Sequence, residues 1–176
     1  IGALSWDKID FENKTISIVR AVEDANTAEV MIKSTKNKAS KRKIGIDEHL
    51  DRIFRERKLN QTEELFKIGV RLPHDALVFP ESILEPYIPR RPRGITSAFL
   101  RKAKSLGFGG LKLHDLRHTH ITALLEAGVP IQGVSQRAGH STPNHTLSTY
   151  SWCMKRSEDK AVDVARDLMS QALSHR

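Results

Sequence analysis

His114, Arg117, His140 and Tyr150 lie in one stretch, Leu113 to Tyr150, which reads LHDLRHTHITALLEAGVPIQGVSQRAGHSTPNHTLSTY. An arginine fork donates two parallel, charge-assisted hydrogen bonds to a phosphate. Imidazole donates, accepts or carries charge near neutral pH, and a phenol oxygen can attack phosphorus. These residue types together could cut and rejoin a nucleic-acid backbone without a metal ion. On a helix, His114 and Arg117 stand about one turn apart and can reach the same small anion. His140 directly follows Gly139, a position just past a helix end where a side chain can enter a cleft, and Tyr150 comes ten positions later. Each feature alone has an ordinary explanation: a solvated basic turn before a core helix, a structural Gly-His turn, a packed aromatic.

These residues need elements to hold them. Asp115 to Ala127 has helical spacing, with Leu116, His120, Ala123, Leu124 and Ala127 on one face and Gly128 fitting the C-terminal cap. Pro130 opens a short helix that Gly139 closes, and Thr142-Pro143 opens another that carries Tyr150. Lys155 to Ser174 reads as a last amphipathic helix with Val162, Ala165, Met169 and Ala172 in a stripe. Upstream, Trp6 to Phe11, Thr15 to Arg20, Glu29 to Lys33 and Arg42 to Ile46 are short β-type runs joined by polar turns, which predicts a small antiparallel sheet. Asp47 fits a helix N-cap, ahead of Leu50, Ile53 and Phe54 on one face. Gln61 to Ile68 reads as a second helical piece. Pro86 to Gly94 reads as an irregular loop, and Ile95 to Leu106 as a helix with Phe99, Leu100 and Ala103 inward. The expectation is one domain of α+β class, mainly α-helical, with a small antiparallel three-stranded sheet near the N-terminus.

Composition narrows the function. A chain of 176 residues is long enough to bury a core. No apolar run approaches the ~20 residues a membrane span needs, and IGALSWDKID lacks the basic start and apolar core of a secretion signal. The single cysteine, Cys153, excludes an internal disulfide framework, so a cytoplasmic location is expected. A net charge of +8 favours a polyanionic partner, nucleic acid before anionic membrane. Lys33, Lys36, Lys38, Lys41, Arg42 and Lys43 form one basic run, and Arg90, Arg91, Arg93, Arg101, Lys102 and Lys104 a second. Either could be a solvated face. As DNA contacts they would grip phosphates and position a duplex with little sequence reading.

HxLRHTH, a Gly-His box and T-L-x-T-Y, in that order and spacing, resemble the tyrosine recombinases of the phage integrase family. IGALSWDKIDFENKTISI resembles the segment after that family's first active-site arginine, and TKNKASKRKIGI its lysine-bearing β-hairpin, so the resemblance covers essentially residues 1–176. It implies a catalytic domain that cuts and rejoins DNA at attachment-site-like targets during integration or excision of a prophage or mobile element. Tyr150 would be the nucleophile of a 3′-phosphotyrosyl link, freeing a 5′-hydroxyl. Arg117 would be the second of two phosphate-clamping arginines, with His114 and His140 as flanking hydrogen-bond and proton-transfer groups. Lys36, or its neighbour Lys38, would protonate the leaving oxygen. The resemblance further implies double-stranded DNA and other protomers of a DNA-bound tetramer as partners, the segment after Tyr150 docking on a neighbouring protomer, and no cofactor or membrane. The family's first arginine and amino-terminal DNA-binding domain would precede Ile1, so the chain reads as a fragment.

Chemically, a phosphodiester in transit gathers negative charge that fixed cations stabilise. A phenol with an ordinary pKa near 10 needs a base or a strong positive field, and the leaving alkoxide needs a proton. Other readings are a noncatalytic DNA-binding module, type IB topoisomerase-like cleavage, and a metal-dependent hydrolase built on His114, His118, His120 and His140. The last lacks the carboxylates or cysteines usual in such sites.

Overall fold

The computed structural model describes residues 1–24, 30–34, 41–154, 162, 165 and 166. It is mixed α+β and mostly helical, and it divides into two compact units, Ile1–Leu113 and His114–Arg176.

In the first unit a short 3₁₀ turn, Trp6–Lys8, leads into β1 (Ile9–Asp10), β2 (Thr15–Ile18), β3 (Arg20–Asp24), β4 (Val30–Ser34) and β5 (Arg42–Gly45). β1, β2 and β5 form the three-stranded antiparallel sheet, with Ile16 opposite both Ile9 and Ile44. The run that reads as one strand from Thr15 onward divides after Ile18, and β3 pairs instead with β4 in a separate two-stranded ribbon. The β1–β2 turn is set locally. The Asp10 carboxylate accepts from the backbone N–H of Asn13 and Glu12 and from the Asn13 amide. These bonds, the Asn13 backbone N–H foremost, hold the Asp10 carboxyl below its ordinary range.

α1 spans Glu48–Phe66 as one helix. Asp47 caps it, its carboxylate accepting from the Leu50 N–H at 2.7 Å. The sequence reading of two pieces fails because no proline or glycine interrupts residues 48–66, and Gln61 belongs to the inward face rather than to a helix start. Phe54, Gln61 and Leu65 are buried at helical spacing, while Ile53 faces out at 43 % exposure. Buried Gln61 accepts from the Trp6 indole N–H at 2.8 Å and donates to the Leu77 carbonyl at 3.2 Å. Trp6, Ile9, Ile16, Ile46, Phe54, Ala76 and Val78 form the core around it.

α2 runs Pro92–Ser105, so the irregular segment ends earlier than Gly94. Pro92 is at the helix start, where its missing N–H costs nothing. Ala103 is buried and Phe99 half-buried, but Leu100 is exposed. Gly2 lies where a Cβ would meet Val22 Cγ2 of β3 at 3.0 Å, with Ile95 of α2 at 3.5 Å.

The second unit contains α3 (Leu113–Glu126) from His114 onward, α4 (Ile131–Ala138) and α5 (Pro143–Met154). Its core is Ile121, Val134 and Tyr150, with Leu124, Leu125, Val129 and Ala138 packed around them. This corrects the expected α3 face. Leu116, His120, Ala123 and Ala127 are exposed, because α4 and α5 cover the Ile121–Leu125 side. Of the expected last helix, Val162, Ala165 and Arg166 are helical and exposed; the rest of Lys155 to Ser174 lies outside the described residues.

Candidate active site

α3 carries three of the residues. His114, on its first turn, is exposed, and its ring meets His118 edge-on at 4.7 Å between centroids. Arg117 is half-buried, and its Nη2 donates to the Ala138 carbonyl at 2.7 Å. That carbonyl lies two residues before His140, so the bond brings the guanidinium to the segment holding the Gly-His pair. The other guanidinium N–H groups have no partner among the described residues and remain available to an anion.

Gly139 ends α4 in the left-handed region at φ 75°, a conformation costly for residues with a Cβ. Its N–H and that of His140 both return to the Ser135 carbonyl, at 2.9 and 3.1 Å. The reversal directs His140 back toward α5, where its Nδ1 lies 2.6 Å from the Thr146 hydroxyl and its ring beside His145. Thr146 is fully buried.

Tyr150 is 3 % exposed and belongs to the unit's core. α5 leaves helical dihedrals at this residue, with φ −121° and ψ 17°. The Tyr150 hydroxyl meets His118 Nδ1 at 2.5 Å. Thr146 is not among the residues the sequence singles out, and His118 entered there only as a ligand of the alternative metal-dependent hydrolase. The available signal for His118 was its place four residues after His114, which puts both rings on one helix face. Thr146 showed none beyond lying between the box histidine and Tyr150.

His120 points elsewhere. Arg137 Nε donates to its Nε2 at 3.0 Å, and burial, with the Arg137 charge, holds the imidazole pKa below its ordinary value. Among the described residues no group of three or more His, Cys, Asp or Glu side chains is arranged to hold a metal ion.

Of the residues expected to contact DNA, Lys33 is bonded to Glu23 across the β3–β4 ribbon at 2.7 Å. Lys41, Arg91 and Arg93 are exposed and Arg42 is half-buried. Lys36 and Lys38 lie outside the described residues.

A sheet-bearing unit followed by helices that present an arginine, histidines and a tyrosine is the catalytic-domain fold of the tyrosine recombinases. The chain belongs to the phage integrase family, whose sequence pattern matches residues 1–155. It is 28 % identical over 180 residues to the tyrosine recombinase XerC-like protein of Caldanaerobacter subterraneus subsp. tengcongensis, covering 94 % of this chain and 44 % of that protein. It is 25 % identical over 168 residues to the ICEBs1 integrase of Bacillus subtilis, covering 95 % and 44 %. The chain thus spans less than half the length of these curated relatives. Among solved structures, the Tn1549 transposon integrase in complex with transposon right end DNA superposes with a TM-score of 0.70 at 21 % identity, covering 92 % of this chain and 53 % of that one. XerA recombinase gives 0.62 at 16 %, covering 90 % and 50 %. At these identities the likeness establishes the fold.

Proposed function

We propose that this chain is the catalytic part of a site-specific tyrosine recombinase acting on double-stranded DNA in integration or excision of a mobile element. The observation that carries the reading is Arg117 bonded beside the Gly139-His140 turn, in the same helical unit whose core holds Tyr150, within a family match over residues 1–155.

In this reading Arg117 grips nonbridging oxygens of the scissile phosphate, with His114 and His140 donating alongside. Charge gathers on those oxygens in transit, so donors fixed beforehand stabilise the transition state most. Tyr150 Oη forms the new bond to phosphorus, and the bond to the 5′-oxygen breaks. Lys36 supplies the proton to that oxygen. Exposed Arg91, Arg93 and Lys41, with Lys33, Lys38 and Arg42, hold the duplex backbone. The functional assembly is a DNA-bound tetramer in which the segment after Tyr150 docks on a neighbouring protomer, and the exposed Val162 and Ala165 suit such a role.

The test is covalent capture. The full-length protein, given a nicked suicide substrate carrying its attachment site and no metal or nucleotide, should form a covalent DNA adduct. Tyr150→Phe should abolish the adduct while leaving DNA binding intact. An adduct that persists undiminished in Tyr150→Phe removes Tyr150 as the nucleophile.

A further inference from the structure

The resemblance gives proton-transfer roles to His114 and His140, but the imidazole that meets the Tyr150 hydroxyl is that of His118. The phenol O–H must lose its proton as the bond to phosphorus forms, and an ordinary phenol keeps it at neutral pH. His118 Nδ1 lies 2.5 Å from the Tyr150 hydroxyl. We infer that His118 is the general base of the cleavage step, an inference that rests on the strand-transfer reading above.

Several features support this role. The contact is to the reacting oxygen itself. Imidazole is the side chain whose ordinary pKa lies nearest neutrality, which suits exchange of a proton in both directions. With the ring proton on Nε2, Nδ1 carries the lone pair and the phenol donates to it. The His114 ring packs edge-on against His118 at 4.7 Å, and the His118 and Tyr150 rings lie 5.7 Å apart at 46°. His118 also follows Arg117 directly, so one helical turn of α3 presents both the phosphate grip and the base. His114 and Arg117 are then left to the phosphate.

Tyr150 Oη bonds to phosphorus as its proton passes to His118 Nδ1. The phosphorus bond to the 5′-oxygen breaks, and that oxygen receives its proton from Lys36. In rejoining, the 5′-hydroxyl attacks the phosphotyrosyl phosphorus and returns its proton to Lys36, while the phosphorus bond to Tyr150 Oη breaks and that oxygen recovers the proton from His118. No oxidant, reductant or cofactor enters.

Single-turnover adduct formation on the suicide substrate, with the full-length protein at neutral pH, tests this. His118→Asn retains an amide able to meet the phenol but is not basic, and His118→Ala removes the contact. Both should slow adduct formation by about 100-fold or more, the range for loss of a general base, with DNA affinity unchanged. Trifluorotyrosine at position 150, whose phenol ionises far more readily, should recover at least about tenfold of the rate in the His118→Ala background. A purely structural role for His118 would not allow that recovery. A 5′-bridging phosphorothiolate, whose sulfur leaves as a thiolate without a proton, should give no such recovery. Wild-type rates in His118→Asn, faster cleavage in His118→Ala, or no gain from the fluorinated phenol would each overturn the assignment. Should His118→Ala fail to fold, the His118→Asn rate decides alone. A wild-type protein that forms no adduct, or an adduct surviving in Tyr150→Phe, overturns the recombinase reading and this inference with it. A Tyr150-dependent adduct indifferent to His118 overturns the inference only.

Discussion

Single side chains divide the α3 histidines into different tasks despite their closeness in sequence. His120 accepts from Arg137 through Nε2, so that nitrogen must be unprotonated in the folded chain. Its pKa is lowered by burial and by the Arg137 charge. A histidine with a depressed folded pKa binds protons more readily when unfolded, so stability falls as pH drops below the unfolded value near 6.5. Thermal melts between pH 8 and pH 5 should show this acid-side loss, and His120→Gln should flatten it; an unchanged slope in the variant would assign the loss to other groups. Thr146 is the second residue whose task is visible only in three dimensions. Thr146→Val keeps the shape and removes the hydroxyl that meets His140. A hydrogen bond contributes about 1 kcal/mol, so adduct formation should slow roughly fivefold with DNA affinity unchanged. A weakened affinity at an unchanged cleavage rate would mean that Thr146 serves DNA binding instead.

At the scale of elements, two helix contacts fix the geometry the side chains use. Gly139 ends α4 at φ 75° and passes the chain back so that His140 meets α5. Gly139→Ala forces a Cβ into the left-handed region, at about 1–2 kcal/mol. We expect a lower melting temperature and a larger loss of cleavage than the stability change alone gives, because His140 is the next residue. Cleavage falling only in step with the folded fraction would show that the turn is structural. In the first unit, α1 is pinned by Gln61, buried between the Trp6 indole and the Leu77 carbonyl. Gln61→Ala leaves both partners unsatisfied in the core and opens a cavity, so urea unfolding should report a loss of at least about 2 kcal/mol. A loss below roughly 0.5 kcal/mol, the size of an ordinary surface change, would show that the network contributes little.

For the whole molecule, the net charge of +8 sets the terms of the DNA binding proposed above. Phosphate contacts release counterions, and affinity falls with salt by about 0.9 logarithmic units per contact. Arg91 and Arg93 are both exposed at the start of α2. Replacing both with alanine should weaken binding similarly on cognate and random duplexes and lower the salt slope by about two. Sequence-selective weakening would instead place one of them on base edges. The two compact units each have their own core cluster.

What the sequence determined is local. Asp47, Gly128 and Gly139 mark helix ends because capping geometry depends on a few neighbouring residues and on glycine's freedom at positive φ. The order and spacing of His114, Arg117, His140 and Tyr150 pointed to the family, and matching residues 1–155 bears that out. The three-stranded sheet was legible as alternating runs, but its pairing was not. β2 joins β5 across the β3–β4 ribbon, and no short-range signal chooses between strands of similar pattern. The inward side of α3 was misread for the same reason. Ile121 is buried, and Leu116 and Ala123 exposed, because of where α4 and α5 come to rest. The meeting of His118 with Tyr150, on two helices separated by the whole of α4, is likewise a product of packing. Local conformational preference is written residue by residue, whereas the partner that covers a side chain is settled only when distant segments compete for the same apolar surface.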